Sequence, residues 1–309
     1  MHGRHLLGAV ACYASASRAS AAAPTVRTIN GHRAILVGPR SSASVEQPPC
    51  VLLGGTAQWL DSWTGHLSAL SAKRQVLLYE TRGQGGAFAT GNQADLSDCT
   101  LPRHAEDFVS ILNAAGLRDK GPCDVVAFSF GARVAMCAAA SGDASLIRRL
   151  CVSGTTSDRG SRGRLALQSW RSSLRSGDLE GFVWRLILDT YSQHTLGSSE
   201  AQVPKWVANV VAANDVAGLQ AIVEQTHSED PDDSTHPLAM AKAIRASQAV
   251  EAGLLINGAE DLLCAPGAGQ ALADAAGWRY VEIENAAHAC PIEQPTKWRK
   301  AALEFLDAD

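Results

Sequence analysis

Residues 124–136, DVVAFSFGARVAM, decide how this chain is read. An apolar run breaks at Ser129 and then resumes with helical periodicity, the signature of a strand, a sharp turn and a helix. A turn that holds a nucleophile in strained geometry at a strand tip leaves no room two residues before it or two after. Ala127 and Gly131 satisfy that demand around Ser129. The usual pattern is G-x-S-x-G, and Ala-Phe-Ser-Phe-Gly loosens it by one methyl group. On its own the pentapeptide reads equally well as a strand-to-helix turn with a serine N-cap.

Serine becomes a nucleophile when a neighbouring base takes its proton, and the base needs an acid to fix its tautomer and stabilise the imidazolium. Both partners are expected on later strand-end loops. Leu254 to Asn257 reads as a buried strand opening into Gly258-Ala259-Glu260-Asp261, so Asp261 is the candidate acid and Glu260 its reserve. A solvated surface turn is the ordinary reading of an acidic pair, but this pair falls between a strand and the next helix. A further strand, Trp278 to Ile283, precedes Ala286-Ala287-His288-Ala289-Cys290-Pro291, then Glu293-Gln294-Pro295 and a closing amphipathic helix. Of nine histidines, His288 alone sits in the last loop before that helix, and it is the candidate base.

The chain order Ser129, Asp261, His288 is that of α/β-hydrolases. From about Thr25 onward the chain resembles that fold, within its large group of esterases, lactonases and lyases. The resemblance implies a mostly parallel twisted sheet with helices on both faces and a helical cap insertion. Pro49 to Leu53 reads as a strand ending in Gly54-Gly55-Thr56, where members of the group usually carry His-Gly followed by an oxyanion-binding residue. By that match the backbone N–H groups of Thr56 and Phe130 form the oxyanion hole. Val76 to Tyr79 leads into Glu80-Thr81-Arg82-Gly83-Gln84-Gly85-Gly86, which resembles the group's D-x-R-G-x-G-x-S stretch with Glu for Asp. Its role is read as structural.

Leu150 to Ser153 reads as the strand after the elbow helix, and then the strand pattern lapses. Helices are expected over Arg164 to Arg175, Leu179 to Tyr191, Val203 to Ala213 and Val216 to His227, followed by the acidic turn Glu229-Asp230-Pro231-Asp232-Asp233. This divides the chain into a hydrolase core at 24–155 and 246–309 and a helical cap at 156–245. The acidic turn reads as a solvated loop. Trp170, Trp184, Tyr191 and Trp206 pack cap helices together, with one of them expected at the substrate and Trp184 taken as that one. Ser62 is placed to cap a helix bearing Trp63, Leu67 and Leu70; Ala105 to Leu117 forms another, and the last carries Trp298, Ala302, Phe305 and Leu306 inward.

Arg133 follows Ser129 by four residues, where a cation opposes the helix dipole. An anionic partner is implied: a structural ion pair is the commoner case, a substrate contact the other. Menaquinone-pathway lyases of this fold resemble the segment, with an arginine shortly after S-x-G-G, although Ala132 stands where they have glycine.

With 309 residues, 46% hydrophobic and 19% charged, the chain suffices for one large core and an insertion. A net charge of −4 without a basic face argues against nucleic acid, and no run of ~20 apolar residues spans a bilayer. Eight cysteines lack C-x-x-C spacing and no H-E-x-x-H occurs, so neither a disulfide framework nor a metal site is implied, and no cofactor. Nothing in the pattern bears on oligomeric state. Residues 1–23 carry His2, Arg4, His5 and Arg18 among alanines and serines, and the first carboxylate is Glu46. That composition suits a transit peptide for a plastid or mitochondrion, with a secreted or cytoplasmic protein as alternatives.

The resemblance therefore implies a serine hydrolase acting on a small-molecule ester, lactone or related acyl compound. One alternative is a lyase of the menaquinone or phylloquinone type that uses the same triad for proton abstraction. The other is a ligand-binding receptor or scaffold, which has no need of three triad residues in order. Dehalogenases and epoxide hydrolases of the fold are excluded, since they place aspartate where this chain has Ser129.

Overall fold

Runs of aliphatic residues too short for helices and too apolar for loops build the centre of the molecule. In the computed structural model, which describes residues 24–39, 47–88 and 95–308, β3 (Cys50–Leu53), β4 (Val76–Tyr79) and β5 (Cys123–Phe128) are buried at every position. Strands covered on both faces read as continuous apolar runs, as these do. With β1 (Val26–Ile29), β2 (His32–Val37), β6 (Ile147–Ser153), β7 (Ala252–Gly258) and β8 (Arg279–Ile283) they form one eight-stranded sheet ordered β1-β2-β4-β3-β5-β6-β7-β8. β2 runs antiparallel to β1 and β4, and the pairs from β4 through β8 are parallel. The expected presequence, 1–23, lies outside the described residues.

In chain order the helices are α1 (Thr64–Leu70), α2 (Leu101–Ala114), α3 (Phe130–Ala140), α4 (Gly160–Arg175), α5 (Leu179–Thr190), α6 (Gln193–Ser199), α7 (Val203–Ala213), α8 (Val216–Gln225), α9 (Pro237–Ser247), α10 (Ala268–Ala276), α11 (Cys290–Glu293) and α12 (Pro295–Leu306). Alternation along β5 divides the core between the sheet's faces: Val125 and Ala127 join α2, α3, α9 and α10, whereas Val126 and Phe128 join α1 and α12. A third apolar cluster ties α4, α5, α7 and α8 together through Leu167, Trp170, Phe182, Val207 and Leu219. Among the described residues no single helix is long and apolar enough to cross a membrane.

The α/β arrangement is the one expected, and element ends shift by a few residues. Three features depart from the sequence reading. The β1–β2 hairpin and α6 had no counterpart in it. Most of α9 falls within the expected cap at 156–245, yet Met240, Ala241 and Ile244 pack into the core beside α3 and α10. The helices that stand apart from the sheet end before His236.

Candidate active site

Ser129 stands between the last residue of β5 and the first of α3, with φ 53° and ψ −113°. Positive φ at a residue bearing a side chain is strained, and the surroundings must hold it. Two backbone hydrogen bonds do so, from Ser129 N to the Ser153 carbonyl at 2.8 Å and from Gly131 N to the Gly54 carbonyl at 3.0 Å. The close approach requires glycine at 131: a Cβ there would lie 2.5 Å from the Gly54 oxygen.

The loops after β7 and β8 bring the other two side chains to the same sheet edge. His288 Nε2 lies 2.9 Å from Ser129 Oγ, and His288 Nδ1 lies 2.9 Å from Asp261 Oδ2. Asp261 also accepts from the Leu263 N–H at 2.9 Å and from the Cys264 thiol at 3.2 Å. Burial pushes the Asp261 carboxyl up, but the charge and hydrogen bond of His288, with the two further donors, outweigh it and leave the group below its ordinary value. Glu260, the reserve acid, is exposed, so the carboxylate at His288 is that of Asp261.

Thr56 and Phe130 both face the cavity in front of Ser129. Among the described residues, neither backbone N–H meets an acceptor. Gln58 Oε1 accepts from Gly55 N at 2.6 Å and from Trp63 Nε1 at 3.0 Å. Gln84 clamps the same loop, its Oε1 accepting from Ala57 N at 2.9 Å and its Nε2 donating to the Gly55 carbonyl at 3.0 Å. The glutamine of the Glu80–Gly86 motif thus helps support a loop that lacks the usual histidine.

A second carboxylate serves the histidine loop. Glu293, 5% exposed, accepts from Ala287 N at 2.8 Å and from Ser192 N at 2.9 Å, joining the residue before His288 to the start of α6. The sequence reading placed Glu293 in a loop without giving it a task. No sequence signal marked it, because its partners are backbone N–H groups.

The cavity before Ser129 measures about 470 Å³. Its wall includes Arg133, Thr156, Arg159, Trp170, His227 and His236. Of the four aromatics considered, Trp170 reaches this wall and Tyr191 a side chamber beside Ser129. Trp184 reaches neither, correcting the expectation. Leu186 lines the side chamber, and a residue two positions away lies roughly 200° around the helix. Trp184 packs instead on the apolar cluster of α4, α5 and α7. Arg133 was expected to form an ion pair more often than a substrate contact. Among the described residues no carboxylate lies within 4.0 Å of it. Arg159, His227 and His236 went unnoticed in the sequence because they fall in segments with no motif.

The model of the alpha/beta hydrolase family matches residues 50–301. The chain belongs to the alpha/beta hydrolase family. In fold this hydrolase is similar to the enol-lactonase from Burkholderia xenovorans, with a TM-score of 0.71 at 21% identity over 92% of this chain and 100% of that one. A thermophilic esterase from Thermogutta terrifontis gives a TM-score of 0.70 at 18% identity, over 92% of this chain and 98% of that one. A hydrolase from Pseudomonas aeruginosa gives a TM-score of 0.70 at 23% identity, over 94% of this chain and 100% of that one. None of the curated protein sequences matches the chain.

Proposed function

We propose that the protein is a serine hydrolase that cleaves a small ester, lactone or related acyl compound. The observation that carries this reading is the continuous relay from Ser129 Oγ through both nitrogens of His288 to Asp261, each contact 2.9 Å. His288 takes the Ser129 proton as Oγ attacks the carbonyl carbon. Asp261 keeps the proton on Nδ1 before attack and stabilises the imidazolium after it. The N–H groups of Thr56 and Phe130 receive the oxyanion, an interaction commonly worth a few kcal/mol of barrier. His288 then returns its proton to the departing alcohol, and water, deprotonated by the same ring, releases the acyl group from Ser129. Helices α4 to α8 act as the cap, closing the cavity above the nucleophile.

A fluorophosphonate probe tests the reading. The folded wild type is expected to label at Ser129, and Ser129→Ala is expected to abolish labelling. Ser129→Ala should also lower kcat on short-chain esters by about 10⁴-fold or more. A folded wild type that resists the probe and turns over no ester or lactone would remove the serine mechanism.

A further inference from the structure

We propose that the acyl portion of the substrate carries a second, free carboxylate, and that Arg133, assisted by Arg159, receives it. The proposal rests on Ser129 being the nucleophile and adds the chemical class of what it attacks.

Arg133 is 3% exposed, yet its side chain lines the same cavity as Ser129. Among the described residues its Nε has no hydrogen-bond partner, and Nη2 donates to the Thr235 carbonyl at 3.3 Å. The other charges on the cavity wall are matched in pairs: Arg159 with Glu229 at 3.4 Å and Arg164 with Asp158 at 2.9 Å. His227 and His236 add no charge at neutral pH, because burial and the neighbouring arginines hold both below the ordinary histidine value. Asp261 stands behind His288 with partners of its own. Glu229 and Asp233 act on Arg133 only at a distance, and burial lowers its guanidinium to about 9, still charged at neutral pH. A buried guanidinium with an idle donor is unfavourable alone and favourable beside an anion.

Position then sets the ligand. Arg133 lies one helical turn beyond Ser129, roughly 6 Å along the axis of α3. Because Arg133 and Ser129 line one cavity, a single small ligand can meet both. The planar guanidinium matches a carboxylate edge to edge, and Arg159, from the segment after β6, lines the same cavity. A cavity of about 470 Å³ accommodates a small dicarboxylate monoester.

The test pairs monomethyl glutarate with methyl hexanoate, of similar length but uncharged, and follows proton release. Wild type is expected to favour the anionic ester in kcat/KM. Arg133→Met is expected to cut that preference by about 10- to 100-fold, mainly through KM, the scale of a charged hydrogen bond. Arg133→Lys should recover part of it, and Arg159→Gln should lose less than Arg133→Met. Because Arg133 is buried, circular dichroism checks each variant, and Arg159→Gln carries the test where Arg133→Met does not fold. Calorimetric binding of monomethyl glutarate to Ser129→Ala, with and without Arg133→Met, reads the anion site without turnover. Hydrolysis of both esters at equal kcat/KM by the wild type would overturn the anion site while leaving the hydrolase. Binding that follows the charge at Arg133 without hydrolysis of either ester would keep the anion site and remove the hydrolase. Absence of both binding and hydrolysis would overturn both.

Discussion

At the scale of single residues, the contacts among Ser129, His288 and Asp261 are positioned by side chains that do not line the cavity. Glu293 shows this best, because its two oxygens accept N–H groups from separate segments, Ala287 beside His288 and Ser192 before α6. A glutamine there keeps one acceptor oxygen but turns an N–H₂ toward the other buried donor, leaving a mismatch that costs about 1–3 kcal/mol. Glu293→Gln is therefore expected to lower the melting temperature by several degrees and kcat by about tenfold or more, with KM changed little. Kinetics and a thermal melt on the same preparation check this, and a variant with wild-type kcat would show that the histidine loop holds itself. Asp261 and His288 were legible in the sequence because each follows a strand and chemistry demands both. Glu293 was not, since its partners are backbone groups that no motif specifies.

At the scale of elements, the site depends on how closely α3 approaches β3. Gly131 stands where a Cβ would meet the Gly54 and Leu53 oxygens at 2.5 and 2.7 Å, both of them backbone atoms that cannot rotate away. Gly131→Ala is expected to push the helix off the strand and to part the Phe130 N–H from that of Thr56. The overpacking costs about 1–3 kcal/mol or more, and activity should fall further than stability accounts for. Denaturant unfolding alongside ester turnover separates the two effects; a fully active Gly131→Ala would mean that the elbow tolerates a wider turn. The small residues around Ser129 announced this packing in the sequence. The β1–β2 hairpin was harder to see because β1 is largely exposed and lacks an apolar face. Helix α9 carries a readable stripe in Met240, Ala241 and Ile244, but only its neighbours α3 and α10 show that the stripe faces the core.

At the scale of the whole molecule, charge is distributed in ways the sequence cannot show, because the groups that face one another come from distant segments. Arg133, Arg159 and Glu229 meet at one cavity only through the fold. The same holds for two histidines enclosed in the core: His66, 1% exposed, lies between Trp63 and Trp298, and His104, 1% exposed, lies edge-on to Phe130. Burial lowers each to about 3, far below the ordinary histidine value. In the unfolded chain both protonate near pH 6.5, while in the native state both stay neutral to about pH 3. Between those limits the unfolded state binds more protons, so native stability is full above about pH 6.5 and is lost as pH falls. The two histidines together remove roughly 4 kcal/mol between pH 7 and pH 5. Denaturant unfolding at both pH values is expected to show this loss. His104→Phe keeps an aromatic ring against Phe130 and removes one titrating group, so about half of the histidine contribution should disappear from the difference between the two pH values. A His104→Phe protein that loses as much stability on acidification as the wild type would place the acid sensitivity elsewhere in the chain.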